Sequence, residues 1–583
     1  MKFNKILYKK SPVMFIYNLF HAVVINPIIA YIGIVLVQAM VDGIVAGESI
    51  KTLMLKMLGF YIADVVLCVG QLFIASLYLD KETRRVKSDI TMTLCKESMG
   101  VDYKYFDDPD FFNTYVWMGR NYANTVINAN MILCGIVSSV FTIATVLGLI
   151  VNVSPWIIVI SLVQTVIVTL IQRKTNILSF RRDQQNVQVD RRKGYYSGIF
   201  MDRASIDNIK CTKLSEFAFK NYEKAWEDEK SIIDKFAPKI CGLFSTQQTV
   251  KSTGYFVTMF YICLCVFGGE SIGLFTTVIE SYHTMASNLS SLFKADGNLT
   301  DLVLQSDAID GFYAIDNKIE SAEKTSGFIG SENRPFEIEF RNVSFKYPNS
   351  DFSLKNINLV IKSGEKNAIV GMNGAGKSTL IKLIMRFYDV DEGELLINGK
   401  NIKEYDLSWL RNNIGCAFQT PIIYAMTMRE NLNLYNEADD AKIGEIVSKT
   451  KLDDVLEKNG ANMDSQMTKN FDSAGIIMSG GENQKLAISR VLTGNFGLKI
   501  FDEPTASLDP ISEENMMRLI NDSANGSSSL IISHRLSAVT DADQIIVMDN
   551  GEILEKGSHS ELLEKKGKYY EMFTIQGKNY KVC

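Results

Sequence analysis

Apolar residues are spread unevenly along this chain: the first half holds long runs nearly free of charge, while the second alternates short apolar stretches with polar turns. An uncharged run from Ser11 to Val41 follows Lys2, Lys5, Lys9 and Lys10. It is too long for a signal-peptide core and reads as an interfacial entry followed by a spanning helix, at about 20 residues per crossing. Leu53 to Leu79 is broken only by Lys56 and Asp64, and Asn121 to Gln172 contains no charge at all, enough for two crossings joined at Asn152-Val-Ser-Pro155. Two more runs flank a short connection at Gly268 to Ser271. The expectation is six transmembrane helices, at about 13–40, 53–79, 131–151, 155–172, 242–268 and 271–293.

Charge then orients the bundle. Lys81, Arg84, Arg85, Lys87, Lys104 and Arg120 follow the second span, and Arg173, Lys174, Arg181, Arg182, Arg191, Arg192 and Lys193 follow the fourth. Excess lysine and arginine marks cytoplasmic loops, so both long loops belong inside. Their helical patterns carry the membrane helices into the cytoplasm, with Asp102 to Phe106 and Arg203 to Leu214 as the segments that meet a cytoplasmic partner. Asp64 and Glu280 fall near the membrane midplane, with His283 one helical turn from Glu280. Such acids need a partner or a wet cavity, which leaves a structural pair and a cation-receiving patch both open.

Glu323 to Pro335 is polar and glycine-containing, as a linker is. Strand and helix patterns alternate after it, beginning with a strand over Phe336 to Phe345, and imply a doubly wound α/β domain around a largely parallel sheet. The division is thus 1–322 membrane domain, 323–335 linker and 336–583 α/β domain. At 583 residues the chain is long enough for several such units. Nine scattered cysteines show no metal or disulfide spacing, and a net charge of −5 does not favour nucleic acid as a partner.

Gly371 to Ser378 fit G-x-x-x-x-G-K-[ST] between an apolar strand, Asn367 to Val370, and a helical stretch, Leu380 to Met385. Glycines at 374 and 376 let the backbone approach phosphates, Lys377 supplies charge to the β- and γ-phosphates of ATP, and Ser378 offers a hydroxyl to Mg²⁺. Leu498 to Glu503 reads as a strand ending in two acids, with Asp502 suited to Mg²⁺ and Glu503 to polarising the attacking water. Lys499 sits awkwardly inside that buried strand and puts its position in question.

Residues 336 to 583 resemble the nucleotide-binding domain of an ABC transporter. Met478-Ser-Gly-Gly-Glu-Asn-Gln484 is similar to the L-S-G-G-Q signature, with Met478 for leucine and Glu482 for glutamine, and Asp502 to Asp509 resembles Walker B running into the D-loop. The resemblance implies that Gln419 is the Q-loop glutamine, able to reach Mg²⁺ and the attacking water, that His534 is the switch histidine, and that Tyr347 stacks on adenine. It adds Gly371, Asn373, Thr379 and Asp509 to the nucleotide contacts, and Ser479, Gly480 and Gly481 as the cap on ATP held by an opposite subunit. Six helices before one such domain resemble an exporter half-transporter, and Tyr105 to Phe111 is similar to its coupling region. This likeness implies a multi-pass cell-membrane protein with its ATPase domain in the cytoplasm. It would work as a homodimer or a heterodimer with a second half-transporter, exporting a peptide, drug or lipid-like substrate. An importer or lipid flippase of the same architecture, an ATP-gated channel or receptor, and a soluble ABC-type ATPase are the alternatives.

Overall fold

The computed structural model describes residues 2–150, 155–268, 272–315, 319, 335–348, 351–435, 438–523 and 527–578. The chain divides into two compact units, one of Met1–Gly100 and Pro109–Ile315, the other of Val101–Asp108 and Asp316–Cys583. The inferred turns at Asn152 to Ser154 and Gly269 to Ser271, and the linker from Glu323 to Arg334, lie outside the described residues.

The first unit is all helical. Among the described residues, four stretches, Pro12–Val45, Ile50–Ser98, Pro109–Leu149 and Leu214–Phe267, are long and apolar enough to cross a membrane. Two further helices, Pro155–Ile199 and Ile272–Tyr313, run through the remaining apolar stretches. The stretch Ile50–Ile74, predominantly apolar but carrying Lys51, Lys56 and Asp64, buries none of its residues. Ile34, Val146, Ile262, Val278 and Met285 form a small internal core. Helices of 42 to 54 residues far exceed what a bilayer needs, which agrees with the expected continuation beyond it. Glu280 is exposed, and among the described residues it makes no bond to His283, whose ring packs on Tyr255 and Tyr282 instead. The carboxylate of Asp64 faces the Cys68 thiol of its own helix at 3.8 Å.

The second unit contains two sheets. Strands β1 (Ile338–Lys346), β2 (Ser353–Ile361), β4 (Glu392–Ile397) and β5 (Lys400–Asn401) form an antiparallel sheet in the order β2-β1-β4-β5. The larger sheet, ordered β10-β9-β3-β8-β7-β6, comprises β3 (Lys366–Gly371), β6 (Ile414–Ala417), β7 (Leu498–Asp502), β8 (Ser528–Ile532), β9 (Gln544–Asp549) and β10 (Glu552–Gly557). All its pairings are parallel except β10 with β9.

Strand alternation explains the layering. Ile369, Ile500 and Leu530 pack on one face with Leu380 and Ile384 of the helix Lys377–Ile384, while Val370, Phe501 and Ile531 pack on the other with helices Gly480–Thr493 and Pro510–Ser523. A sheet covered on both faces has continuously apolar strands, and β7 and β8 are buried at every position. The buried Lys499 is thereby accounted for. It belongs to β7 after all, because its ammonium escapes along the strand to donate to the Ser523 carbonyl at 2.8 Å, 24 residues away. Burial, reinforced by Lys442, pushes its pKa down to about 8.

A separate helical core gathers Met428, Leu432, Ile443, Val447, Leu452, Met478 and Leu486. The short helix Tyr103–Phe106 also belongs to this second unit. Tyr103 stacks on Phe387 with ring centroids 4.7 Å apart, and Asp107 accepts from Lys382 at 3.3 Å and from the Tyr388 hydroxyl. This is one of the two segments expected to meet a cytoplasmic partner. The other forms a turn at Arg203–Ser205 and a helix, Ile206–Cys211, with no buried residue.

Candidate functional site

Parallel strands deliver their C-terminal ends to one edge, and ligands of open α/β sheets bind there. Strands β3, β8 and β7 are neighbours, with Ile369 opposite Ile532 and Asp502 opposite Ile532. The loop after β3, the acids ending β7 and His534 just beyond β8 therefore share one edge.

The loop Gly371 to Gly376 has the conformation its glycines allow. Gly374 and Gly376 have φ of +82° and +105°, and a Cβ on Gly376 would lie 2.6 Å from Leu354. Gly376 caps a helix that begins at Lys377, earlier than the apolar pattern from Leu380 suggested. Its first N–H groups point into the loop, the arrangement that binds phosphate at helix N-termini. Lys377 is 7% exposed and donates to the carbonyls of Gly371 and Met372 at 2.9 and 3.0 Å. Burial lowers its pKa, opposed by Glu503 and Asp502.

Ser378 Oγ lies 3.4 Å from Asp502 Oδ2. Burial raises the Asp502 pKa, Glu503 adds to the rise, and Ser378 and Lys377 oppose it. A hydroxyl and a carboxylate oxygen converging beside a phosphate loop are the hard donors Mg²⁺ takes, so these residues fit that ion. Glu503 occupies the left-handed region at φ +48°, unusual for a side-chain-bearing residue, and its N–H donates to Ile532 O at 2.9 Å. Its carboxylate is held between Gln419, whose Nε2 donates to Oε2 at 2.9 Å, and His534, whose Nδ1 lies 3.3 Å from Oε1. The structure thus gathers Glu503, Gln419, His534, Asp502, Ser378 and Lys377. Tyr347, half-buried against Phe345 and Tyr388, reaches the same helix through a 3.3 Å bond from its hydroxyl to Thr379.

Ser479 caps the helix Gly480–Thr493, which Gly480 and Gly481 start; Met478 before it and Leu486 within it join the helical core, while Ile488, Val491 and Leu492 pack on the sheet. Ser479 and Glu482 form a reciprocal capping box, with Ser479 N–H donating to Glu482 at 2.7 Å. Glutamate at this position is thus a good N3 residue, as glutamine would be, so the departure from glutamine keeps the cap. Gly481 has no room for a side chain, since a Cβ would lie 2.9 Å from the Ser507 carbonyl oxygen. Asp509 caps the next helix, accepting from the N–H groups of Ile511 and Ser512 at 3.1 and 3.0 Å. The Ser512 side chain foremost, and those N–H bonds after it, hold its pKa low.

Two contributors carry no signal of their own in the sequence patterns. Gln484 is 4% exposed, donates to Glu503 O at 2.8 Å and accepts from Ser507 N–H at 2.8 Å, tying its helix to Glu503 and the loop after it. Its place in the signature motif is the nearest thing to a clue. Gln576 donates to His534 O at 2.6 Å and accepts from Leu536 N–H at 2.9 Å, fixing the switch loop from the C-terminal helix, and no motif marks it. Gln484→Leu should strand two polar backbone groups, cost about 1–3 kcal/mol per group and lower ATP turnover. Thermal unfolding and ATPase measurements on the full chain check this.

A glycine-rich phosphate loop, an acidic strand end and a histidine on one sheet edge define a P-loop ATPase. Its particular kind emerges from comparison: residues 354–506 match the ABC transporter family model. The chain is 34% identical over 396 residues to the mitochondrial iron-sulfur clusters transporter ATM1 of Saccharomyces cerevisiae, covering 64% of this chain and 56% of that one. It is 36% identical over 258 residues, 44% of each chain, to the ATP-dependent lipid A-core flippase of Escherichia coli K12. The chain thus spans about half the length of the curated relatives it matches. A solved bacterial Atm1-family ABC exporter with ATP bound superposes with a TM-score of 0.79 at 20% identity, over 97% of this chain and 99% of that one. Residues 354–506 thus match an ABC transporter domain, and the chain shares the fold of that solved exporter, helices followed by an α/β domain.

Proposed function

We propose that the protein is one subunit of an ATP-driven exporter in which two copies of this chain pair in a cell membrane, with the ATPase domains in the cytoplasm. The observation that carries this reading is the Glu503 carboxylate held between Gln419 and His534 beside the Ser378–Asp502 pair, in a chain of long apolar helices. Lys377 exchanges its bonds to the loop carbonyls for the β- and γ-phosphates, while Gly371, Asn373, Gly374, Gly376 and Thr379 line the phosphate path. Tyr347 packs on the adenine side. Glu503 orients the attacking water and takes its proton, with His534 and Gln419 setting the carboxylate's direction. Ser378, Asp502 and Gln419 would hold Mg²⁺, which supplies charge neutralisation across the phosphates.

Ser479 and Gly480 are exposed at the start of their helix, and, as the likeness to ABC transporters implies, they serve with Gly481 as the cap on a nucleotide bound by a second chain, with Asp509 supporting that interface. One chain carries both halves of such a site, which favours a homodimer over pairing with a different half-transporter. The helix Ile206–Cys211, with no buried residue, suits a partner's ATPase domain.

The segment at Tyr103 couples ATP to the membrane helices. Its aromatic ring lies 5.0 Å from the Lys382 ammonium, on the phosphate-loop helix itself. Tyr103→Ala should therefore leave ATP affinity close to wild type and weaken the link between ATP and the helices by about two- to tenfold, since one aromatic pair contributes about 0.5–1.5 kcal/mol. Distance measurements across the membrane helices with and without ATP, in wild type and Tyr103→Ala, would show this. The reading as a whole is tested by reconstituting the full chain in liposomes: Mg-ATP hydrolysis that Glu503→Gln removes supports it, and hydrolysis insensitive to that change contradicts it.

A further inference from the structure

An open cleft of about 610 Å³ lies on the helical unit, where the helices Pro12–Phe20 and Asn26–Val45 with the turn between them meet Pro109–Ile150 and Ile272–Tyr313. Its size suits a small-molecule ligand. Asn18, His21, Asn26, Asn130, Ser138 and Ser139 are among its lining residues, and none of the lining residues is charged. Met131, Ile132 and Ile136 give it an apolar side. Amides and an imidazole inside a membrane-spanning bundle are costly, and residues of this kind there ordinarily mark a site.

The hydrogen bonds show what the cavity leaves to a guest. Asn18 spends its Nδ2 on Asn130 Oδ1 at 2.8 Å, and Asn26 spends its Nδ2 on Ser138 Oγ at 2.8 Å. One N–H of each amide is thus used, while the carbonyl oxygens of Asn18 and Asn26 keep accepting capacity. His21 Nε2 is buried and has no hydrogen-bond partner among the described residues. His21 also opens a five-residue π-helical turn, His21–Ile25, in which Asn26 N–H donates to His21 O. Turns of that kind interrupt helices at functional positions more often than elsewhere.

From these observations we propose that this cavity is the substrate-binding site for an uncharged solute bearing hydrogen-bond donors, such as the amide N–H groups of a capped peptide. The assignment rests on the transporter reading of the whole chain. A cation finds no carboxylate here and an anion finds no ammonium or guanidinium, so a charged group would be desolvated without compensation. An uncharged N–H donor meets Asn18 Oδ1, Asn26 Oδ1 and His21 Nε2, while its apolar parts meet the methionine and isoleucines.

The test uses the full chain in lipid nanodiscs without nucleotide and three radiolabelled probes: N-acetyl-Ala-Ala-amide, the anionic N-acetyl-Ala-Ala and the cationic Ala-Ala-amide. Wild type should bind the neutral probe about tenfold tighter than either charged one, and His21→Phe should weaken that binding about tenfold. Asn26→Asp places a carboxylate in the cavity at unchanged size and should reverse the preference toward the cationic probe. Asn18→Asp provides the same reversal if Asn26→Asp does not fold. Equal or tighter binding of a charged probe by wild type, no binding of any probe, or an unchanged ranking in the folded aspartate variant overturns the assignment. ATP hydrolysis that depends on Glu503, measured on the same nanodiscs, reports on the transporter reading separately.

Discussion

Glu503→Gln should lower ATP turnover by about 10² to 10⁴-fold while ATP still binds. The substitution keeps size and shape, so the left-handed backbone at φ +48° and the N–H bond to Ile532 are undisturbed. An amide oxygen can still accept from Gln419, but a neutral amide cannot take a proton from water. Lys377, Ser378 and Asp502 remain, so ATP should accumulate on the protein. Single-turnover hydrolysis and nucleotide retention after gel filtration measure the two effects independently. Turnover within about tenfold of wild type would remove Glu503 from this role.

Lys377→Ala should act at the earlier step and weaken ATP binding itself. The ammonium is held over the loop by the Gly371 and Met372 carbonyls, 2.9 and 3.0 Å away, so it is already placed where phosphates would arrive. A charge-assisted hydrogen bond contributes about 1.5–3 kcal/mol, which corresponds to roughly a ten- to hundredfold loss of affinity. His534→Ala should differ in kind, sparing affinity and slowing hydrolysis, because His534 touches Glu503. Equilibrium binding of a fluorescent ATP analogue to both variants distinguishes them, and wild-type affinity in Lys377→Ala would contradict the phosphate role.

The motifs could be read from the sequence because each couples a local backbone shape to a residue type. Gly374 and Gly376 permit the loop, Ser479 and Glu482 cap a helix, and the apolar run at Leu498 ends where a buried strand ends. Contacts between distant segments were beyond the same reading. The Ser523 carbonyl that satisfies Lys499, the Gln576 amide behind His534 and the Gln484 bridge between Glu503 and Ser507 all depend on tertiary approach. The same holds in the helical unit. Spacing along one helix suggested a Glu280–His283 pair, whereas the His283 ring packs against Tyr255 from a different helix. The hydrogen bonds of the asparagine-lined cavity likewise join residues 112 positions apart, as from Asn18 to Asn130.

The central claim is that two copies of this chain close around ATP, each capping the nucleotide of the other. Met372, in the phosphate loop, is 63% exposed, and Ile477, just before the signature motif, is 55% exposed. In a cysteine-free Glu503→Gln background, Met372→Cys and Ile477→Cys on separately tagged copies can be joined by a short bismaleimide. ATP with Mg²⁺ should produce a cross-linked species of twice the chain mass carrying both tags, and omission of nucleotide should abolish it. Cross-linking confined to single chains, or equal with and without ATP, would contradict the account.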